Sequence, residues 1–265
     1  MNWMKYRWLY LLISGTLIIA GIFSMIKWGF AVGIDFTGGS LLEYRLPDGS
    51  VKTYKEKSID QAKKIAIKTE LEKEVGGQVT EIRFEDVGPS VGPETLKRTI
   101  YALLISTGAI LLWIAYQFKN YKFGISATLA TLHDSLILVG SFSILGHFFG
   151  AELDFLFVTA LLTILSFSVH DTIVVFDRIR EMRRRDSRRI SELADEAISE
   201  TMVRSINNSF TIIFMLLALI LLGGDTIRWF AVALLIGTVS GTYSSPFVAV
   251  SILVTWDEIE KRLKK

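Results

Sequence analysis

The chain has 265 residues, 51% of them hydrophobic, and a formal net charge of +2. A net charge this small produces no strong field for nucleic acid, so no nucleic-acid partner is expected. Because cysteine is absent, disulfides, thiolate chemistry and cysteine metal sites are excluded.

Six segments of the chain are long and apolar enough to cross a membrane. A helix needs about 20 mostly apolar residues to span ~30 Å of hydrocarbon. Four of the segments carry no charged residue, and the other two carry one acid each, Asp134 and Asp171. The sequence therefore predicts a membrane all-α bundle of six transmembrane helices, with these segments at residues 8–26, 99–118, 123–151, 155–176, 205–224 and 229–256.

The spans divide the chain into six parts. The first span is longer than the apolar core of a signal peptide, and no small-residue cleavage site follows it, so we expect a retained anchor. The predicted parts are the first transmembrane helix (1–27), an external domain (28–97), helices two to four (98–177), a basic amphipathic cytoplasmic loop (178–204), helices five and six (205–256) and a cytoplasmic tail (257–265).

The external segment is predicted to fold as a small α+β domain between the first two helices. Strands are expected at 41–46 and 79–84, with a further strand near 51–54. A helix from Ser58 to Gly76 places Ile65 on its apolar face. A core this small is marginal alone, so we expect the domain to lean on a partner domain.

The distribution of basic residues sets the orientation of the helices. Short loops rich in Lys and Arg stay in the cytoplasm. Six spans place both termini on one side. In the two short loops on the other side, 147–153 and 223–228, the only Lys or Arg is Arg228. We therefore predict a multi-pass protein of the inner (cytoplasmic) membrane with both termini cytoplasmic. The basic residues on that side are Lys5, Arg7, Lys119, Lys122, the arginines of 178–189, Arg204, Lys261, Arg262, Lys264 and Lys265.

The predicted cytoplasmic loop combines an arginine cluster with an amphipathic helix. Ile190, Leu193 and Ala197 recur at helical spacing, with acids on the opposite face. We expect this helix to lie at the membrane surface. Two roles stay open for the arginines: they fix topology and touch anionic membrane lipid, or they take part in function.

Two carboxylates lie within predicted spans. Asp134 follows Lys122 by about 12 residues, which places it ~18 Å deep, and Asp171 lies roughly 10 Å inside the cytoplasmic face beside His170. A charged carboxylate at such a depth costs several kcal/mol unless it faces the bundle interior, finds a cation or takes up a proton. A group that alternates between protonated and ionised forms as water access changes can couple proton flow to movement. The alternative is a static polar cluster that holds helices together, with Ser166, Ser168, Asn207 and Asn208.

Other polar groups near the spans have two interpretations each. Arg204 opens the fifth span and reaches Asp171 if the fourth and fifth helices pack antiparallel; otherwise it is a positive-inside anchor. Asp177 lies close to the interface and is expected to pair with a loop arginine.

Two short patterns complete the inventory. His133-Asp134 and His170-Asp171 would suit a metal hydrolase, but adjacent residues point about 100° apart around a helix. We therefore expect no metal site and no catalytic residues. Gly237 and Gly241 form a GxxxG pattern, which indicates close helix packing.

Five motifs carry a resemblance to a known family. Together with the layout they cover essentially the whole chain, and the longest, at the end of the fourth span, is specific. The sequence resembles the SecF family of protein-export membrane subunits. The one departure is Asn208, where many relatives have a small hydroxyl residue. The motifs are residues 33–39, 87–92, 133–134, 170–181 and 204–207.

The resemblance implies a function and a set of partners. A SecF-type subunit pairs with SecD in a twelve-helix unit similar to RND transporters, which binds the SecYEG translocon, with YajC as a further candidate partner. The unit uses the proton-motive force to help move preproteins outward, without enzymatic activity or a cofactor. We expect SecD to be a separate polypeptide. The alternative is a self-contained RND-type small-molecule or lipid exporter, which would need a larger external domain.

The resemblance also implies roles for particular residues. By position, Asp171 corresponds to the family's proton-pathway aspartate and Arg204 to its functional arginine. Asp134 matches a family motif. The supporting polar residues are Asp134, His170, Asn207 and Asp177.

Overall fold

The computed structural model describes residues 2–88, 90–118 and 120–264. Three residues named above therefore lie outside the described residues: Pro89 of the motif at 87–92, and the predicted cytoplasmic residues Lys119 and Lys265. The chain divides into two compact units, one formed by Met1–Ala31 with Leu103–Lys265 and the other by Val32–Ala102.

Helices dominate the chain, and a small sheet follows the first of them. Six helical segments are long and apolar enough to cross a membrane: Trp3–Trp28, Val91–Ile114, Tyr121–Phe149, Phe155–Arg185, Ile190–Leu222 and Asp225–Leu263. The predicted six-helix bundle with a small α+β domain between the first two helices is confirmed. The helices are α1 (Arg7–Trp28), α2 (Ile34–Thr37), α3 (Gln61–Val75), α4 (Val91–Gln117), α5 (Tyr121–Phe149), α6 (Phe155–Arg185), α7 (Ile190–Leu222), α8 (Asp225–Ser244) and α9 (Val250–Leu263).

The interior of the larger unit is built from α5, α6 and α8. The buried share of the most apolar stretch is 44% for α5 and 39% for α6, against 11% for α7. At one point α1 crosses α5 almost in backbone contact, because a Cβ on Gly140 would lie 2.6 Å from Gly21 Cα. The hydroxyls of Ser24 and Ser143 hydrogen-bond at 2.8 Å beside this crossing.

The close approach of α8 to α6 depends on Gly237, and Gly241 faces α6 one turn further along. A Cβ on Gly237 would lie 2.1 Å from Ile164 Cδ1, and one on Gly241 would lie 3.6 Å from Ser168 Cα. The close packing predicted from the GxxxG pattern is therefore confirmed. It brings the backbone of α8 against the face of α6 that carries Ser168.

The helices α6 and α7 extend beyond the spans predicted for them. The helix α6 ends at Arg185 and α7 begins at Ile190, so only residues 186–189 connect the two helices. The first turns of α7 bury Leu193 and Ala197 in a core cluster with residues of α5, α6 and α9. The expectation that this apolar face lies on the membrane surface is wrong, because the face packs against the protein interior.

Several arginines of the predicted loop are paired within the protein. Arg178 binds Glu200 at 2.5 Å, and Arg188 binds Glu196 at 2.7 Å. Both acids lie on α7, so the Arg178 pair ties α7 to α6 and the Arg188 pair ties α7 to the connecting segment. Contact with membrane lipid stays a prediction for the exposed arginines, such as Arg184.

The N-terminal turn and the last helix meet at the same end of the bundle. A 3-10 turn over Trp3–Tyr6 precedes α1, and Arg7 makes a bidentate ion pair with Glu258 at 2.8 and 2.6 Å. Lys122, at the start of α5, bonds the buried carboxylate of Asp257 at 3.0 Å. These contacts fix α1, α5 and α9 to one another.

The smaller unit is a three-stranded antiparallel sheet with α3 on one face. The strands β1 (Gly39–Arg45), β2 (Val51–Glu56) and β3 (Thr80–Val87) are ordered β2-β1-β3. The side chain of Asp60 caps α3 by accepting from Lys63 N at 2.8 Å, and Gly76 ends the helix with a φ of +66°. Ile67 and Leu71 of α3 pack on β1, whereas Ile65 is 60% exposed, so its predicted burial is wrong.

The sequence motifs at 33–39 and 87–92, which flank this sheet and are rich in glycine, meet within the smaller unit. Residues 33–39 contain α2, and Gly38 and Gly39 have positive φ angles. A Cβ on Gly92 would lie 2.3 Å from Gly38 N, so any larger residue would separate the start of α4 from the motif. The glycines therefore serve packing here.

Candidate functional site

Asp134 lies at the centre of the bundle with 1% of its surface exposed. Three serine hydroxyls donate to its carboxylate at 2.6 Å each, Ser240 to Oδ1 and both Ser168 and Ser244 to Oδ2. His133 Nδ1 lies 3.0 Å from Oδ1. Hydrogen bonds to an ionised acceptor are roughly twice as strong as neutral ones. This cage therefore compensates the carboxylate for its removal from water.

The sequence spacing explains how the cage assembles. Ser240 and Ser244 are four residues apart on α8 and share one helix face. Ser168 lies on α6 opposite Gly241, where the two helices pack against each other. The sequence analysis missed the two serines of α8; the available signal was a cluster of hydroxyl residues at 238–245, two of them at helical spacing, in a span without charges.

The last span changes its helical geometry next to the cage. Ser245–Ala249 form a π-helical stretch that contains Pro246, and such stretches within α-helices are frequent at functional sites. Ser245 Oγ lies 3.0 Å from the hydroxyl of Thr172 and donates to the carbonyl of Ser168 at 3.3 Å. The π-helical stretch is thus bonded to α6 on the same side as the cage.

Asp171 is half-buried near the middle of α6. Its Oδ2 accepts a hydrogen bond from Ser205 of α7 at 3.1 Å. Arg204 is exposed, and it forms no ion pair with Asp171 among the described residues. The functional pairing of Asp171 with Arg204 therefore stays a prediction.

A cavity of about 380 Å³ lies beside Asp171, between α6, α7 and α8. Its polar wall includes Ser168, Asp171, Asn208 and Thr242. Ser168 therefore touches the cavity and the Asp134 cage at once. The arrangement places Asp171 in the wall of one cavity and Asp134 behind Ser168 of the same wall.

The remaining predicted site residues lie around this cavity or outside it. His170 is exposed and contributes to the cavity wall. Asn207 is exposed, whereas its neighbour Asn208 lines the cavity. Asp177 pairs with Arg180 of its own helix at 2.8 Å, because α6 continues to Arg185 and presents an arginine one turn away. No group of His, Asp and Glu suited to a metal ion occurs among the described residues.

Six apolar helices with carboxylates buried between them, and a small α+β domain after the first helix, define a multi-pass membrane protein that holds ionisable groups within the membrane. A family model described as "Protein export membrane protein SecD/SecF, C-terminal" matches residues 67–259. The chain belongs to the SecD/SecF family of protein-export membrane proteins.

The similar proteins cover nearly all of the chain. "Protein translocase subunit SecF" of Thermobaculum terrenum is 39% identical over 96% of this chain and 93% of its own length. "Protein translocase subunit SecDF" of Thermus thermophilus is 33% identical over 94% of this chain but 38% of its own length. The crystal structure of SecDF from Thermus thermophilus, described as a translocon-associated membrane protein, has a TM-score of 0.87 at 29% identity and covers 97% of this chain. The chain spans about two fifths (39%) of that SecDF structure.

Proposed function

We propose that this chain acts as a SecF-type subunit of the Sec protein translocation machinery, together with SecD, and uses the proton-motive force to promote export of preproteins across the cytoplasmic membrane. Its relatives are named as translocase subunits. The observation that carries the mechanism is Asp171, a half-buried carboxylate on a membrane-spanning helix, which lines a cavity together with several other polar side chains. Relatives of this kind give no support to a self-contained small-molecule exporter.

The energy available from the gradient matches the cost of changing the charge of Asp171. A charged side chain at the centre of a helix in the membrane costs about 2.5–3.5 kcal/mol on insertion scales, and moving one charge across about 100 mV supplies ~2.3 kcal/mol. Proton uptake or release at this carboxylate is therefore within the reach of a membrane gradient.

The contact with Ser205 makes the packing of α6 against α7 depend on the charge of Asp171. An ionised carboxylate accepts the Ser205 hydrogen, as the 3.1 Å contact indicates, whereas a protonated one becomes a donor. Because Ser205 lies on α7, each change in charge alters the bonds between α6 and α7. Arg204 precedes Ser205 on α7, and its positive charge favours the ionised form of Asp171.

The polar surface of α6 and α7 supports the partnership with SecD. His170, Arg204 and Asn207 are exposed in the chain by itself, although they lie on helices that are apolar enough to span a membrane. Lipid cannot satisfy such groups. A second protein therefore covers them, and the SecDF relative joins SecD and SecF sequences in one chain.

The remaining partners and the orientation belong to the same proposal. The SecDF relative is described as translocon-associated, which supports binding to SecYEG and to the translocating preprotein, with YajC as a further partner. The distribution of basic residues supports an orientation with both termini in the cytoplasm, and the relatives' names as translocase subunits support the inner membrane as the location. The chain acts without enzymatic chemistry or a cofactor, and the proton gradient supplies the energy.

The test is preprotein movement in proteoliposomes that contain this chain, SecD and SecYEG. Asp171→Asn should lower gradient-dependent translocation to the level seen without a gradient, because the amide cannot take up and release the proton. Arg204→Met should act in the same direction, since the carboxylate then loses a nearby cation.

A matched control is available on the same helix. Asp177→Asn removes a partly exposed ion pair with Arg180, worth about 0–1 kcal/mol, and should leave translocation unchanged. Full gradient-dependent translocation by Asp171→Asn would refute the proposed coupling. Stable assembly with SecD and SecYEG in every variant shows that the loss is not a failure of assembly.

A further inference from the structure

We propose that Asp134 is a second proton-binding site, which exchanges protons with the Asp171 cavity through the hydroxyl of Ser168. The inference rests on the proposed function, because it concerns the path of the same proton. It extends that function from one carboxylate to a pair of carboxylates on opposite sides of one serine.

Ser168 occupies a position that the other cage serines do not share. Of the three serines that bond Asp134, Ser168 contributes to the wall of the cavity, and Ser240 and Ser244 do not. Its hydroxyl donates to Asp134 Oδ2 at 2.6 Å. Gly241 adjoins it, and even a Cβ at that position would lie only 3.8 Å from Asp134 Oδ2. Ser168 and Gly241 thus line the cavity and lie next to Asp134 at the same time.

The cavity is large enough to carry a proton between the two carboxylates. A water molecule occupies about 30 Å³ of liquid volume, so a space of about 380 Å³ accommodates a short hydrogen-bonded chain. In the transfer, Asp171 gives its proton to the water chain, and the chain delivers a proton to Ser168 Oγ. The original Ser168 O–H bond breaks as its proton bonds to Asp134 Oδ2. Asp171 loses one proton, Asp134 gains one, and Ser168 is unchanged.

The cage accommodates both charge states of Asp134. The ionised form can accept the hydrogens of all three serines, whose oxygens lie 2.6 Å from the carboxylate. Ser244 Oγ also lies 3.4 Å from the carbonyl of Gly241. When Asp134 is protonated, Ser244 can turn its hydrogen toward that carbonyl and accept from the carboxyl group instead. A buried group that keeps its hydrogen bonds in both states switches without leaving a polar atom unpaired.

The neighbours of Asp134 assign the proton to the carboxylate instead of the imidazole. Among the described residues, His133 is the only titratable side chain bonded to Asp134, and α6 and α8 contribute hydroxyls. His133 Nε2 is buried without a hydrogen-bond partner. A cationic imidazole would bury an N–H there with no acceptor, which is unfavourable. The other charges on facing elements are Asp171, across the cavity, and the Lys122–Asp257 pair, about three helical turns away along α5.

The competing explanation is that the cage only holds helices together. Ser168→Ala and Ser240→Ala form a matched pair for this question. Each removes one hydroxyl that donates to the Asp134 carboxylate at 2.6 Å, so their structural losses are similar. They differ because Ser168 faces the cavity. A structural cage predicts equal effects of the two changes, and a relay predicts unequal ones.

The experiment measures proton flux under an imposed pH gradient in proteoliposomes that contain this chain and SecD, together with the thermal stability of each variant. Ser168→Ala should lower the flux about 100-fold, the low end of what a positioned proton-transfer group contributes. Ser240→Ala should lower the flux less than Ser168→Ala does, since it weakens the cage but retains the relay hydroxyl. Asp134→Asn should lower the flux as Ser168→Ala does. Equal flux in the two serine variants, whether high or low, overturns the proposal.

Infrared difference spectra between acidic and alkaline pH supply a readout on the unmodified complex. The proposal predicts two buried carboxylic-acid bands, one lost in Asp171→Asn and the other in Asp134→Asn. A single band, lost in Asp171→Asn, overturns the second site and leaves the proposed function standing. If Asp171→Asn keeps both the band and the flux, the proposed function itself fails.

Discussion

The close crossing of α1 and α5 predicts that a glycine-to-alanine substitution there destabilises the chain more than the same substitution at an ordinary helix contact. Gly140→Ala and Gly241→Ala add the same methyl group to the interior of two membrane-spanning helices. At 140 the new Cβ would lie 2.6 Å from Gly21 Cα, and at 241 it would lie 3.6 Å from Ser168 and 3.8 Å from Asp134 Oδ2. The methyl group at 140 would force the backbones of α1 and α5 apart, whereas the one at 241 would make ordinary van der Waals contacts.

The magnitudes follow from these distances. Overpacking a tight site costs about 1–3 kcal/mol, and the displaced α1 also loses the bond between Ser24 and Ser143, worth about 0.6 kcal/mol on average for an interhelical bond in a membrane bundle. Gly140→Ala should therefore lower the free energy of unfolding by about 2–3 kcal/mol. Gly241→Ala should change it by less than about 0.5 kcal/mol, as expected for a substitution without strain.

The assay is equilibrium unfolding of the purified chain in mixed micelles, followed by tryptophan fluorescence as denaturing detergent is added. The unmodified chain and the two variants are compared at equal micelle composition. Equal stabilities for the two alanine variants, or a larger loss for Gly241→Ala, would show that the crossing at Gly21 and Gly140 does not hold α1 on the bundle.

Three further predictions concern charges and caps. Asp257→Ala should destabilise the chain by about 1.5–3 kcal/mol, because Lys122 loses one charged hydrogen-bond partner and keeps Glu260; an effect below about 1 kcal/mol in the same detergent titration would show that the pair contributes no more than a surface ion pair. Asp60→Ala should cost the smaller unit about 1 kcal/mol by removing the cap of α3, and unchanged amide exchange in α3 would contradict this. Hydrogen bonds from the hydroxyl and the amide of Ser50 lower the pKa of Asp48, so the stability they contribute is present above the ordinary pKa and is lost as pH falls through the lowered one. Ser50→Ala should raise the pKa of Asp48 toward its ordinary value in a chemical-shift titration, and an unchanged pKa would rule out that cause.

The spans were predictable from sequence because charge-free runs of membrane length have few alternatives. Their ends were less predictable. The last turns of α6 carry Arg183 and Arg185, which suggested a loop, yet Ile179 and Met182 on the same turns are buried. Contacts with α7 and α9 stabilise helix there, and those contacts depend on the tertiary fold.

The face of α3 shows the same limit on a smaller scale. Ile67 and Leu71 are four residues apart and face the sheet, with 9% and 1% of their surfaces exposed. Ile65 lies two residues earlier, on the opposite side of the helix. Both faces carry aliphatic residues, so the pattern alone did not decide which one the strands would cover.

The candidate site was half predictable. Asp134 and Asp171 stand out because each is the sole charge of a long apolar run. The partners of Asp134 do not stand out, since Ser168 is 34 residues away and Ser240 is 106 residues away. Serine is ordinary in membrane helices, and only the packing of α8 against α6 and α5 shows that these hydroxyls converge on one carboxylate.

The central claim is that proton movement through Asp171 drives preprotein movement. The most direct measurement records proton flux and preprotein translocation together, in the same proteoliposomes of this chain with SecD and SecYEG, as the pH gradient is raised. Both rates should rise together in the unmodified complex and should both be lost in Asp171→Asn. Gradient-dependent translocation that persists in Asp171→Asn without proton flux would contradict the account.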